Sequence, residues 1–302
     1  MRDIGHIAIL GGSGSGKTKL SLEVASLFDC AILSLDSLSV FREIDIASAK
    51  PSKEDRGDII HFGLDIISPA NSHNVNTFIN EYNKAVSFCR DNNKKLLIVG
   101  GSSFYLKTLL SGLSEIPKLD KDYIQEGLDS IGGVAERYMF LDSVDSEYAK
   151  NLKPSDTYRI DRALSIYFAT NTKPSVYFAK NPPKPIIKQC VIFEILLSRD
   201  ELLKKIQIRT QDMFDRGIID EVRYLVDKYG ETKQWIKSIG IKESLSYIKG
   251  GISLKEAQEL IVTHTMQLTK RQRTFNKTQL ESHLKGNYDE ICSSVIEHLK
   301  MC

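Results

Sequence analysis

Gly11-Gly12-Ser13-Gly14-Ser15-Gly16-Lys17-Thr18 fits the spacing G-x-x-x-x-G-K-[ST]. Its glycines let backbone N–H groups converge on phosphate oxygens, while the lysine neutralises charge and the last hydroxyl can hold Mg²⁺. The apolar run Ile7-Ala8-Ile9-Leu10 precedes the motif, and a helical pattern follows it, with Leu20, Val24 and Leu27 at three-to-four spacing. A helix N-terminus there adds positive potential, so a diphosphate or triphosphate is the expected ligand, and the motif alone does not say whether a nucleotide carries it. A second apolar run, Ala31 to Leu35, ends at Asp36, and a third, Leu96 to Val99, ends at Gly100-Gly101-Ser102-Ser103. In an open parallel sheet such ends share a crevice with the loop. Asp36 then reads as a base, as a carboxylate beside a metal, or as a cap on the turn that follows. Gly100 to Ser103 suits a phosphate or a substrate base, and equally a tight strand-to-helix turn. No carboxylate ends the third run, which weighs against the metal-holding aspartate of a nucleotide hydrolase.

Two later segments carry cations. Arg159 and Arg162 lie three apart on a helical pattern, so they share a face suited to successive phosphates or to pairing with Asp156. Lys270-Arg271-Gln272-Arg273-Thr274-Phe275-Asn276-Lys277 holds four cations and no acid, with an aromatic and amides between them. That composition suits a nucleic-acid backbone and unstacked bases. The net charge of +2 divides unevenly: residues 1–150 hold 16 basic and 21 acidic side chains, residues 151–302 hold 25 and 18. A basic late half fits a polyanion, or simply a solvated basic face. Trp235, Tyr229 and Tyr247 read as packing residues, and His61, His73 and His264 lack metal-ligand spacing.

The elements that must position these groups alternate between strand and helix. Besides the three apolar runs, Phe62 to Ile66 suggests a short strand and Cys190 to Leu197 a buried one, with a helix from Val75 to Arg90. The fold class is therefore α/β, a P-loop NTPase-like parallel sheet core. Between Ser114 and Lys188 no buried strand is visible; amphipathic stretches at 123–128, 134–141 and 158–169 make this a helical insertion, closed by the stiff run Asn181-Pro182-Pro183-Lys184-Pro185. The division is then 1–113 with 189–302 as core and 114–188 as insertion. From Arg199 to Lys300 the pattern is helical, broken near Gly230, Gly240 and Gly250-Gly251. With 41% apolar and 26% charged residues among 302, the chain is a folded globular protein and not a disordered or fibrous one. No run approaches a membrane span, and the start leaves no room for a signal segment. The five cysteines, 30, 89, 190, 292 and 302, are scattered, which excludes a disulfide framework or a zinc cluster.

Together these segments resemble the tRNA dimethylallyltransferases, also called tRNA isopentenyltransferases. The resemblance spans nearly the whole chain and keeps the family's order: Asp36 to Arg42, Asp45 to Pro51, His61 to Asp65, Val99 to Ser102 with Tyr105, Arg159 to Leu164, Arg209 with Met213 and Gly217, Ile239 to Glu243, and Lys270 to Gln272 with Thr274. It implies transfer of a dimethylallyl group from dimethylallyl diphosphate to the exocyclic amine of the adenine 3′ of the anticodon, in tRNAs whose anticodon ends in adenine. Gly11, Gly12, Ser13, Gly14, Ser15, Gly16, Lys17 and Thr18 would grip the diphosphate with Arg209, and Mg²⁺ would sit near Thr18. Lys17, Thr18, Asp36 and Ser102 would be catalytic: Asp36 takes a hydrogen bond or proton from the amine, and Ser102, where the family usually has Thr, orients the reacting groups. The anticodon stem-loop would be held by Asp36, Ser37, Leu38, Ser39 and Ser102, by Tyr158, Arg159, Ile160, Asp161 and Arg162, by Ser238, Ile239, Gly240, Ile241, Lys242 and Glu243, and by Arg271, Gln272, Arg273, Thr274, Phe275, Asn276, Lys277 and Thr278. The target base leaves its stack to enter, and the insertion swings to clamp the stem-loop.

The resemblance further implies a cytoplasmic monomer of the compact bacterial form, with no membrane association. Departures from the family pattern are Gly12 for Pro and Gly14 for Ala, which make the loop floppier, Ser165 for Glu, Asn171 for Gly, Ile241 for Tyr, Phe275 for Trp, and Ile124 where an Arg often touches tRNA. Two rivals remain: a P-loop kinase of a small metabolite using ATP, with Asp36 as base and the insertion as lid, and a non-catalytic RNA-binding module.

Overall fold

A computed structural model describes residues 5–115, 117, 120–281 and 283–301. The first four residues and Cys302, read above for leader and thiol, lie outside the described residues. The strands are β1 (His6–Gly11), β2 (Cys30–Leu35), β3 (His61–Phe62), β4 (Lys95–Gly100), β5 (Val191–Ile195) and β6 (Leu284–Gly286). They form one parallel sheet in the order β3-β2-β4-β1-β5-β6. Apolar side chains on both faces make this arrangement stable: Ile7, Ala8, Ile9 and Leu10 are all buried, as are Leu96, Leu97 and Ile98. The chain leaves β1 toward β2 on one side and returns at β5 on the other, so β1 borders the point where strand order reverses, the place where open α/β sheets hold ligands.

The helices in chain order are α1 (Lys17–Phe28), α2 (Lys53–Arg56), α3 (Val75–Asp91), α4 (Ser103–Ser111), α5 (Lys121–Ile131), α6 (Val134–Val144), α7 (Ser146–Ala149), α8 (Thr157–Thr170), α9 (Pro174–Lys180), α10 (Arg199–Asp215), α11 (Ile218–Tyr229), α12 (Ile241–Ile248), α13 (Leu254–Gln279) and α14 (Tyr288–Met301), with a 3₁₀ turn at Gln234–Lys237. Asn74, Ser198 and Ser253 start α3, α10 and α13 with reciprocal capping boxes. Under one sheet face, Leu20, Val24 and Ala25 of α1 and Ile291, Val295 and Leu299 of α14 pack with Ile7, Ile9, Leu97 and Phe193. Leu27, expected in the apolar stripe of α1, is exposed; Ser21 and Ala25 complete the buried face instead. The strand expected over 62–66 is only His61–Phe62, because Gly63 and Asp65 take left-handed φ of 77° and 57° and end the extended run. The late helical region also contains β6, two of whose three residues are exposed, so no apolar run announced it.

Contacts divide the chain into Met1–Leu110 with Ile187–Cys302, and Ser111–Ile186. The second unit has its own core of Ile124, Leu128, Leu141, Ile160, Ala163 and Leu164, with Phe140 and Phe168 against it. Arg137 binds the carbonyl of Leu128 and the carboxylates of Asp129 and Asp161. Two departures from the family pattern find physical reasons here. Ile124 is a core residue, and Asn171 caps α8 at φ 48°, a left-handed conformation that asparagine tolerates.

Candidate active site

Between β1 and α1 the phosphate-binding loop turns without any side chain capping the first amides of α1, which leaves them for an anion. Lys17 folds back, its Nζ donating to the carbonyl of Gly12 at 2.8 Å. Burial pushes its pKa down to about 8, the positive charge of Arg209 adds to that, and Asp36 opposes both. Arg209, on α10, is likewise lowered by burial against the pull of Asp36 and Asp212, and its Nη2 donates to the carbonyl of Ser48 at 3.4 Å. These groups meet in a cavity of about 390 Å³ at the carboxyl ends of β1, β2 and β4. Lys17, Lys50, Arg209, Lys237 and Arg271 line it, and among the described residues Asp36 is its one lining carboxylate. Lys50 is already paired with Asp45 and Asp65, which leaves Lys17, Arg209, Lys237 and Arg271 as the cavity's remaining cations. The cavity is electrostatically short of an anion.

Helix α13 presses on this site twice. A Cβ at Gly12 would lie 2.2 Å from the Thr269 methyl, and one at Gly101 would lie 2.5 Å from Gln272 Nε2. At Gly12 the close approach of α13 leaves no room for a side chain. Of the loop side chains, Ser13, Lys17 and Thr18 face the cavity, whereas Ser15 is buried behind the loop in a small space shared with Glu194 and Thr269. The Ser15 side chain is therefore turned away from the cavity that the loop borders.

Asp36 caps the turn that follows it and also lines the cavity. Its Oδ1 accepts from the amides of Leu38 at 2.8 Å and Ser39 at 3.0 Å, which fixes the carboxylate by its own turn without using the second oxygen. His73 supports that turn, with Nε2 2.9 Å from the Ser37 carbonyl. Ser102 lines the same cavity, its amide donating to the Leu35 carbonyl at 3.2 Å. Ser37, Leu38, Ser39, Ser238, Ile239, Arg271 and Gln272 join it there. Among the described residues no group of three or more His, Cys, Asp or Glu forms a metal site. Thr18 and Asp36 offer oxygen donors in one cavity, a set that fits an Mg²⁺ ion whose remaining ligands are phosphate oxygens and waters.

Several residues expected to touch RNA have side chains turned inward. Ile160 is fully buried in the core of the second unit, and Asp161 is held by Arg137. Ile241 is buried too, and the buried Glu243 accepts from the Gly240 amide at 2.8 Å and lies 2.6 Å from His264 Nδ1. Asn276, 1% exposed, donates to Glu194 at 2.7 Å. The reason in each case is helical period: a run of consecutive residues cannot all face one way. Tyr158 and Arg159 on α8 are exposed, as are Lys270, Arg271, Arg273, Thr274, Lys277 and Thr278 on α13, while Arg162, Lys242, Gln272 and Phe275 are half-buried. Lys50 and Lys237 line the cavity without having been singled out. Lys50 lies within the quoted segment Asp45 to Pro51, and Lys237 adjoins Ser238 to Glu243; that placement was the available signal.

A family model described as IPP transferase matches residues 39–279. The chain is 45% identical to a tRNA dimethylallyltransferase of Sulfurimonas denitrificans over 98% of this chain and 97% of that protein. It is 43% identical to one of Helicobacter pylori, over 97% and 94%. Among solved structures it is similar to a tRNA delta(2)-isopentenylpyrophosphate transferase from Staphylococcus epidermidis, with a TM-score of 0.71, 28% identity and 99% of both chains covered. In fold it also matches a eukaryotic dimethylallyltransferase acting on tRNA, with a TM-score of 0.85, 24% identity, and 97% of this chain and 78% of that one covered. No helix among the described residues is long and apolar enough to cross a membrane.

Proposed function

The chain belongs to the IPP transferase family, and from that premise we infer how its cavity carries out the family's reaction. It transfers a dimethylallyl group from dimethylallyl diphosphate to N6 of the adenine 3′ of the anticodon, in tRNAs whose anticodon ends in adenine, releasing diphosphate. The single observation that carries the site assignment is the cavity's charge: Lys17, Arg209, Lys237 and Arg271 line one cavity with Asp36. The relatives favour this transferase over an ATP-dependent kinase.

In this reading the diphosphate lies against Ser13, Lys17, Thr18 and the amides opening α1, with Arg209 across from them. The allylic C–O bond breaks, its electron pair leaves with the diphosphate, and the growing negative charge meets donors already in place. The adenine amine forms the C–N bond and passes its proton to the Asp36 carboxylate, which its turn holds ready. Ser102 orients the reacting groups from the β4 end. Thr18 and the substrate's phosphate oxygens would hold Mg²⁺, which would supply further charge neutralisation to the leaving group. Arg271 and Gln272 at the cavity, the outer face of α13, and Tyr158 and Arg159 on α8 hold the RNA. Labelled dimethylallyl diphosphate incubated with unmodified tRNA and Mg²⁺, beside an ATP control, tests the reading. Label in an anticodon-loop adenine is expected, and ATP turnover without label would replace the transferase by the kinase.

A further inference from the structure

We propose that Glu221, on α11, is a positioning residue for Arg209, acting through the loop 43–51; the proposal rests on the reading of Arg209 as a diphosphate ligand. The amides of Asp45, Ile46 and Ala47 all donate to the Glu221 carboxylate, at 2.8, 2.8 and 2.9 Å. Three successive N–H groups pointing one way form an anion-binding concavity, and the anion here comes from the protein's own α11. The turn that follows is closed by Ala49 N to Ile46 O at 3.0 Å and by Ser48 Oγ to Ile44 O at 2.6 Å. Ala47 to Pro51 then form a continuous piece of cavity wall, and the Ser48 carbonyl accepts from Arg209.

The same helix grips the loop a second time. Glu43, at φ 64°, accepts from Tyr224, Lys228 and Tyr229, each at 2.8 Å. At the far end the buried Lys50 Nζ donates to the Phe41 carbonyl at 2.8 Å and pairs with Asp45 and Asp65. Only Arg216 and Gly217 separate α10 from α11, so the loop is braced against the helix pair that also carries Arg209. A carboxylate satisfies the three amides with two oxygens; an amide in its place has one oxygen and brings N–H groups against N–H groups. The turn then slackens, the Ser48 carbonyl moves, and the guanidinium loses its stop in a site where small misplacements are costly.

The test uses the full chain with Glu221→Gln, Arg209→Gln and both together. Inorganic diphosphate affinity and the KM for dimethylallyl diphosphate are expected to worsen about tenfold in E221Q, the loss of one charged hydrogen bond. The KM for an anticodon stem-loop should stay within about twofold. The double variant should bind diphosphate no more weakly than R209Q alone, because Glu221 acts through that arginine, and Glu221→Asp should recover part of the loss. Unchanged diphosphate affinity in E221Q, or penalties that simply add in the double variant, would overturn the proposal. If R209Q itself binds diphosphate normally, the diphosphate reading fails and this one falls with it. Should E221Q not fold, Glu43→Gln slackens the same loop from its exposed end, and a smaller shift in the same direction is required.

Discussion

The phosphate-binding loop and the last turns of α13 both present cations, yet they do so by opposite physics. In the loop, one lysine is desolvated, folded onto a backbone carbonyl and lowered to about 8 by burial and by Arg209. Along α13, Lys270, Arg273 and Lys277 stand in solvent on one face while Thr265, Thr269 and Asn276 are buried on the other. In the proposed reading the loop holds one small anion at a fixed distance. The helix divides its labour, with an outer face of screened charge for a long polyanion and an inner face that shapes the loop itself through the contact of Thr269 with Gly12. Charge at a fixed site gives position, whereas solvated charge gives salt-dependent affinity.

Substitutions at the two regions should therefore fail differently. Lys17→Ala should lower kcat/KM for the donor by about 10²–10³, the cost of one preorganised donor to a developing anion, with tRNA affinity unchanged in a binding assay. Replacing Lys270, Arg273 and Lys277 by Gln should leave donor KM alone and weaken tRNA binding, flattening its logarithmic salt dependence by about one for each cation that meets a phosphate. A finer separation comes from neighbours on α13. Asn276→Ala should destabilise the fold by about 1–3 kcal/mol in denaturant melts, since Glu194 loses a buried partner, and should spare RNA affinity; Lys277→Ala should do the reverse. The smallest effect concerns pH. In the free enzyme Lys17 is charged below about 8 and loses its proton as pH rises through that value, so donor affinity should decline above pH 8. Lys17→Arg, whose guanidinium stays protonated, should abolish that decline.

How much of this could be read from the chain follows the same division. The glycine-rich loop between β1 and α1 was legible because it is one contiguous motif between an apolar run and a helical pattern. The apolar runs that became β1, β2 and β4 were legible because strands buried on both faces leave no polar residue to confuse the period. On a helix contiguity misleads: Asn276 sits among exposed cations in sequence and inside the protein in space, as Ile160 does beside Tyr158 and Arg159. The three-residue β6 had no apolar signature, and its pairing with β5 comes from tertiary context. Glu221 and Lys50 escaped notice because their partners lie on other elements: Glu221 bonds the amides of Asp45 to Ala47 from a distant helix, and Lys50 is defined by burial beside Asp65.

The assignment on which the chemistry turns is that of Asp36. A single-turnover measurement with Asp36→Asn, at saturating dimethylallyl diphosphate and saturating tRNA, tests it most directly. Loss of the proton acceptor should slow transfer by about 10²–10⁴ while both substrates still bind with their ordinary affinities. Transfer at the unaltered rate would contradict the account, leaving Asp36 as nothing more than the cap on its own turn.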